Sequence, residues 1–252
     1  MSSLAIALVA FACMFGGALT GLFIQRFLPP HQRSESRDAI KMGVGLIGIM
    51  AGLVLGLLVG SAKSSFDSIN AGLTQGGAKL ITLDRILAQY GPEATDVRYE
   101  LRGFVATSVA SLWPKENTAS GGFKAVEQTR GMEEVREKLQ QLSPQTESQR
   151  WIQSQAIQMS TDLLQSRWLL IEQGHNSLPI PLLVILIFWF TILNITYGLL
   201  APRNRTVIAV LFVCALSVSG AIFLILEMND PLGGMIKASS APMRNALEQL
   251  GK

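Results

Sequence analysis

Four long apolar segments, separated in the middle by one extended polar stretch, set the pattern of the chain. They cover residues 4–24, 43–60, 182–199 and 207–226, and none of them contains Asp, Glu, Lys or Arg. A helix rises about 1.5 Å per residue, and about 20 apolar residues cross the hydrocarbon core of a bilayer. The pattern therefore predicts four transmembrane helices, arranged as two hairpins on either side of the polar stretch.

The second apolar segment, residues 43–60, carries a glycine at every fourth position. The row consists of Gly48, Gly52, Gly56 and Gly60. Small residues at this spacing let helices approach closely in lipid, which indicates packing against another helix of the same chain. The alternative is that this span lines a shared passage. The four glycines would then line the pore, where they widen it or expose their backbone, and Leu46, Met50, Leu53 and Leu57 would form a dry constriction. Met50, Leu53 and Leu57 share one helical stripe. These side chains and the glycines therefore cannot both face the axis of the passage.

The polar stretch has the three- and four-residue spacing of helices. This spacing continues beyond Gly60 and predicts that the second span runs on as one amphipathic helix to Tyr90. Gly91 stops that helix, and Pro92 begins another that reaches about Leu112. Further helices are predicted over 123–142, over 144–173 with Ser143 as N-cap, and over 243–250. No strand is predicted.

The predicted architecture is an all-α, polytopic membrane protein with a helical soluble domain between spans two and three. We expect a first transmembrane hairpin at 1–62, the soluble domain at 63–178, a second hairpin at 179–227, and a tail at 228–252 with one short amphipathic helix. Hairpins of this kind place both termini and the soluble domain on one face of the membrane. Two short loops reach the other face.

The two short loops are rich in basic residues. The basic residues there are Arg26, Arg33, Arg37, Lys41, Arg203 and Arg205. The preference of basic loops for the cytoplasm places these residues inside the cell and the soluble domain outside. Wherever it lies, a basic vestibule of this kind concentrates anions. The net charge is only +3, and no basic run with interleaved aromatic residues indicates a nucleic-acid partner.

The sequence offers little catalytic chemistry. It contains no nucleophile elbow, phosphate loop, HExxH or CxxC motif, and its two cysteines, Cys13 and Cys214, lie inside apolar spans. His31 and His175 have no partner carboxylate at helical spacing, which leaves a structural or exposed role, or pH sensing, for each. The absence of charged residues in the spans argues against a proton-coupled carrier. We therefore expect no enzyme, no cofactor and no metal.

Polar residues also mark the points where the spans meet the soluble domain. Ser64, Phe66 and Asp67 follow span two, and Glu227 and Asp230 end span four. Asp230 precedes Pro231, a pair typical of turns. Two readings are open for Glu227 and Asp230, which either cap the end of the helix or take part in a gate or an ion pair.

Several short motifs, spread over nearly the whole chain, resemble a bacterial membrane family with a bestrophin-like domain of unknown function. They are Leu83-Asp84, Tyr90-Gly91-Pro92-Glu93-Ala94, Trp113-Pro114, Leu142-Ser143-Pro144, Arg167-Trp168, Ala201-Pro202-Arg203-Asn204, Phe223 to Glu227 with Pro231, and Ser239-Ser240-Ala241-Pro242. The chain is more distantly similar to bestrophins, which are pentameric anion channels with a pore lined by span two. Three features differ from bestrophins: Ala62, Lys63 and Ser68 to Asn70 replace the expected Arg and Trp residues, span two lacks Phe, and the acidic calcium clasp is missing.

This resemblance implies a homo-oligomeric ion channel, most simply a pentamer, in the inner membrane of a bacterium. Its partners would be other copies of the chain, the lipid bilayer and inorganic anions such as chloride. The resemblance also implies a cytoplasmic soluble domain, which is the opposite of the orientation that the basic loops favour. A function of a different class stays open, namely a non-conducting scaffold that binds other proteins through the apolar stripe between Phe66 and Tyr90.

Overall fold

The computed structural model describes residues 2–27, 37–113, 131–175, 179–202 and 204–252, and every regular element within these ranges is a helix. The predicted all-α fold is therefore confirmed. In chain order the helices are α1 (Ser3–Ile24), α2 (Arg37–Tyr90), α3 (Thr95–Leu112), α4 (Gly131–Gln141), α5 (Glu147–His175), α6 (Ile180–Leu200), α7 (Arg205–Met228) and α8 (Ala241–Gln249). A short 3-10 turn, Pro92–Ala94, joins α2 to α3.

Four of these helices, α1, α2, α6 and α7, are long and apolar enough to cross a membrane, as predicted. The second of them runs without a break for 54 residues to Tyr90. It ends there because Gly91 has a φ of 125°, a conformation that residues with a side chain rarely adopt. The backbone oxygen of Tyr90, left without a helical partner, accepts a hydrogen bond from Gln149 Nε2 at 3.1 Å.

The chain divides into two compact units, and the division falls within α2. The membrane unit comprises residues 1–64 and 177–229, and the interspan unit comprises residues 65–176 and 230–252. The C-terminal segment, which includes α8, thus belongs to the interspan unit.

The membrane unit is held together most extensively by the packing of α1 against α6. This packing requires glycine on both helices. A Cβ atom built on Gly21 would collide with the carbonyl oxygen of Ile195, and one built on Gly198 would collide with the carbonyl oxygen of Ala18. On α2, the side chains buried in the same unit are Val44, Ala51, Leu58 and Ala62.

The interspan unit has its own apolar core, and the second half of α2 supplies its central stripe. Leu80, Leu83, Leu87 and Tyr90 are all buried in it. The neighbouring helices contribute Leu101 and Val105 from α3, Val135 and Leu139 from α4, and Ile152 and Ala156 from α5. The apolar periodicity that predicted one long helix is thus the periodicity of its buried face.

The start of α5 differs from the prediction. The helix begins at Glu147, and residues 142–145 are not helical, so Ser143 is not its N-cap. Instead Thr146 Oγ1 accepts a hydrogen bond from the N–H of Gln149 at 3.1 Å, and Gln149 Oε1 accepts one from the N–H of Thr146 at 3.3 Å. This reciprocal pair is a capping box, which outcompetes the Ser-Pro signal three residues earlier. In the preceding helix, α4, residues 131–141 are helical as predicted, and 123–130 lie outside the described residues.

The C-terminal segment packs firmly into the interspan unit. Leu250 is buried in its core, and Gly251 has a φ of 86° that directs its N–H to Asp84 Oδ2, 3.2 Å away. Asp84 is 1% exposed and forms a two-pronged salt bridge with Arg98, at 2.8 Å to Nε and 2.9 Å to Nη2. The hydrogen bond to Asp84 raises the pKa of Arg98 above its usual value. The last residues of the chain are therefore fixed to a buried ion pair.

Candidate functional site

The outward stripe of α2 in the membrane unit is apolar and uncovered. Leu53 and Leu57 are 61% and 65% exposed, and Leu46 and Met50 on the same stripe are also exposed. These side chains lie on the side of the helix opposite the buried Val44, Ala51 and Leu58, as expected for about 100° of rotation per residue. The four residues predicted to form a dry constriction thus share one exposed stripe of α2.

The glycine row of α2 is open as well. Among the described residues, no atom outside the local helix backbone lies within 4 Å of a Cβ built on Gly52, Gly56 or Gly60. At Gly48 the nearest atom is Leu193 Cδ2, at 3.8 Å, which is an ordinary contact. This environment is the reverse of that at Gly21 and Gly198. Close packing within one subunit, one of the two interpretations of the row, therefore has no support at its last three glycines.

Among the four apolar helices, α2 is the least covered by its own chain. In the most apolar stretch of α2, 17% of the residues are buried, compared with 28% in the corresponding stretches of α1, α6 and α7. Since an apolar helix in a bilayer can be covered by lipid or by another helix, the uncovered face of α2 is available to either.

The described basic residues of the two predicted short loops lie at one end of the membrane unit. Gln25 Nε2 donates a hydrogen bond to the carbonyl oxygen of Ala201 at 2.8 Å, which ties the end of α1 to the turn after α6. Lys41 and Thr206 line a recess next to Ala201. Arg26, Lys41 and Arg205 are exposed at this end. Arg33 and Arg203 lie outside the described residues, as does the side chain of Arg37.

The residues predicted at the junction differ in how exposed they are. Ser64 and Asp67 are exposed, Phe66 is partly buried, and Glu227 is only 4% exposed at the end of α7. Asp230 stabilises a turn, because its Oδ1 accepts a hydrogen bond from the N–H of Gly233 at 3.0 Å and its backbone oxygen accepts one from the N–H of Gly234. This geometry is a turn that begins at Asp230 and involves the residues that follow it.

Within the described ranges, no three His, Cys, Asp or Glu side chains are arranged to hold a metal ion. Cys13 and Cys214 are free thiols on the exposed surfaces of α1 and α7. His31 lies outside the described residues, as does the side chain of His175. The candidate site therefore consists of the apolar face of α2 and the basic end of the membrane unit.

The interspan unit contains a feature that no sequence pattern predicted, a cavity of about 90 Å³ with Arg167 in its wall. Burial lowers the pKa of Arg167, and the carboxylate of Glu133, 3.9 Å from Nη1, acts against that shift. A signal was present in the sequence. Arg167 lies four residues after Leu163 and four before Ile171, both buried, so it interrupts the apolar stripe of α5.

Comparison with known proteins agrees with this architecture. A family model for the Bestrophin-like domain matches residues 12–243. No curated protein sequence matches the chain. Two crystal structures of single-residue variants of a bacterial bestrophin homologue from Klebsiella pneumoniae have a similar fold, each with a TM-score of 0.67. Their sequence identities are 15% and 13%, and the alignments cover 100% and 97% of this chain and 99% of each of those chains.

At these identities the solved structures establish a shared fold, and the family is established by the model match, which spans most of the chain. The motifs that indicated the resemblance, from Leu83-Asp84 to Ser239-Ser240-Ala241-Pro242, lie within the matched range. This chain therefore belongs to the Bestrophin-like family.

Proposed function

We propose that this protein is a homo-oligomeric, pentameric channel of a bacterial inner membrane that conducts inorganic anions such as chloride, with a pore lined by α2. The observation that carries the proposal is the uncovered apolar face of α2. It occurs in a chain of the Bestrophin-like family whose fold is shared with a bacterial bestrophin homologue.

The two exposed rows of α2 suit two different neighbours in an oligomer. With about 100° of rotation per residue, the stripe of Leu46, Met50, Leu53 and Leu57 and the row of Gly52, Gly56 and Gly60 point roughly 100° apart. The apolar stripe can then face the central axis while the glycines face the α2 helix of the next copy. Apolar constrictions control ion flow by dewetting, and small residues let neighbouring helices approach closely.

The sign of the permeant ion follows from the basic end of the membrane unit. Arg26, Lys41 and Arg205 are exposed there, and several copies around one axis would form a positively charged mouth. Such a mouth raises the local concentration of anions and lowers that of cations. The apolar stripe carries no charge, so selectivity by sign would arise at this mouth.

Anion flux from liposomes that contain the purified protein tests the proposal. Gly56→Leu adds a bulky side chain to the row that faces the next copy and is expected to lower chloride flux about tenfold or more, because the side chain displaces α2 from its neighbour and distorts the passage. Gly220→Leu is the matched control, since this glycine of α7 is also open in the subunit. We expect this control to retain flux and assembly.

Two results would contradict the proposal. One is that wild-type protein shows no anion flux at any voltage or pH tested. The other is that Gly56→Leu assembles and conducts like the wild type, since α2 would then face lipid rather than the passage.

A scaffold that uses the apolar stripe between Phe66 and Tyr90 receives less support. Ile69, Leu73, Leu83 and Leu87 of that stripe are buried inside the interspan unit itself. A stripe that already forms a core is not available to another protein without unfolding that core.

A further inference from the structure

The exposed apolar side chains of the interspan unit are concentrated near the points where the chain passes to or from the membrane unit. Among the described residues of the interspan unit, the large apolar side chains that are exposed are Tyr99, Trp151, Trp168, Leu169, Met235 and Ile236. The last four lie within nine residues of residue 177 or residue 229, where the chain enters or leaves the membrane unit. Exposed apolar groups mark contact surfaces, so these four indicate an apolar neighbour near those two points.

Two of the four side chains lie at the tip of a short loop that follows α7. The ends of this loop, residues 231–238, are joined by a hydrogen bond from the N–H of Ala238 to the carbonyl oxygen of Pro231 at 2.7 Å. Pro231 and Ala238 are both buried. Met235, in contrast, is 76% exposed, and Ile236 beside it is exposed as well. The structure therefore fixes both ends of the loop and presents two apolar side chains outwards.

The other two side chains belong to the last part of α5, which packs beside this loop. Leu170, the residue after Leu169, packs against an apolar cluster that includes Leu232 and Ala238 of the loop. Trp168 and Leu169 are each about half exposed. The helix and the loop thus bring all four exposed side chains to the same part of the interspan unit. We call this group the exposed apolar set, which consists of Trp168, Leu169, Met235 and Ile236.

The bilayer is the apolar neighbour that the chain itself brings within reach. The helix α7 is long and apolar enough to cross a membrane, and it ends at Met228. A hydrogen bond from the N–H of Gly234 to the carbonyl oxygen of Asp230, at 2.9 Å, folds the following residues back. Met235 is therefore no more than about 20 Å from the end of a membrane-spanning helix.

The residue types of the exposed apolar set suit the interface between lipid headgroups and acyl chains. Tryptophan is enriched at this level of the membrane, and apolar side chains of surface-bound segments enter it by about 5–10 Å. Lys237 is exposed next to Ile236, and a lysine can keep its charge in water while its stem lies along an apolar surface. We propose that the exposed apolar set rests on the bilayer, with Met235 and Ile236 inserted at the headgroup boundary.

Spin labels on single cysteines test this contact in liposomes, in a background where Cys13 and Cys214 are replaced by alanine. Met235→Cys reports on the loop. Tyr99→Cys is the matched control, because Tyr99 is 78% exposed and lies on α3, far in the chain from each passage to the membrane unit. Electron paramagnetic resonance measures how often each label collides with oxygen, which dissolves in acyl chains, and with a water-soluble nickel chelate.

We expect the ratio of oxygen to chelate collisions to be at least about threefold higher for the Met235 label than for the Tyr99 label. Equal ratios would place the loop in water and overturn the proposal. A Met235 label that is protected from both reagents would be covered by protein, such as a second copy of the chain, and would overturn it too. Trp168→Cys repeats the measurement from α5, with the same expectation. Ion flux is not measured, so the outcome is independent of the channel proposal.

Discussion

Single residues decide where the helices of the interspan unit begin, and the start of α5 is the best example. Two capping signals lie three residues apart, Ser143 followed by Pro144, and Thr146 followed by Gln149. The second satisfies two backbone N–H groups at once, and Gln149 also donates to the carbonyl oxygen of Tyr90. This side chain thus connects the start of α5 to the end of α2.

Thr146→Ala removes the hydroxyl that accepts the N–H of Gln149 and is expected to lower the free energy of unfolding by about 1 kcal/mol. Ser143→Ala should change it by less than about 0.5 kcal/mol, since this residue precedes the helix and is exposed. Thermal unfolding of both variants in the same detergent measures the difference. The reverse ranking would mean that Ser143 is the true cap.

A buried ion pair has a larger effect than a cap. Asp84→Asn takes away the charge that faces Arg98 and weakens the acceptor of the Gly251 N–H, and we expect a loss of about 2–4 kcal/mol. The control is Glu100→Gln, which breaks the 2.6 Å pair with Lys138, where both side chains are 41% exposed. That change should cost less than about 1 kcal/mol. Equal shifts of the unfolding midpoint in the two variants would contradict this account.

At the scale of whole elements, the same sequence pattern has two structural outcomes. Gly17 and Gly21 of α1 are four residues apart, as are Gly52 and Gly56 of α2. The first pair packs against α6, whereas the second pair is open in the subunit. The spacing alone identifies a face on which a neighbour can approach, and the identity of that neighbour depends on helices that are distant in the sequence.

This contrast gives a prediction that concerns packing within the subunit. Gly198→Ala forces a Cβ against the carbonyl oxygen of Ala18 and is expected to destabilise the membrane unit by about 1–3 kcal/mol or more. Gly56→Ala, by comparison, meets no atom of the subunit and should leave the stability unchanged or raise it through better helix propensity. The two variants are compared by resistance to thermal unfolding in detergent.

The elements themselves were largely predictable, because their signals are local. The apolar spans follow from composition, and the unbroken course of α2 to Tyr90 follows from its three- and four-residue period and from Gly91. The cavity beside Arg167 and the fixing of Gly251 to Asp84 could not be predicted, since they bring together residues far apart in the chain. For the candidate site, the sequence identified the apolar and glycine rows, and only the structure showed that both are uncovered.

For the whole molecule, the central claim is that α2 lines the passage when several copies assemble. The second span is the least covered of the four apolar helices, which is what this claim requires of a single subunit. The same face could contact lipid in a molecule that does not conduct. The direct question is therefore whether water and anions reach the side chain of Leu57 in the assembled protein.

Modification of Leu57→Cys answers this question, in a background where Cys13 and Cys214 are replaced by alanine. An anionic, water-soluble methanethiosulfonate reagent is applied to conducting liposomes, and chloride flux is measured before and after. Val213→Cys on α7 is the control, because its 57% exposure is similar to the 65% of Leu57. We predict that the reagent lowers flux about fivefold or more for Leu57→Cys and leaves Val213→Cys unchanged. A Leu57→Cys protein that conducts and is inert to this reagent, while reacting with a lipid-soluble maleimide, would contradict the account.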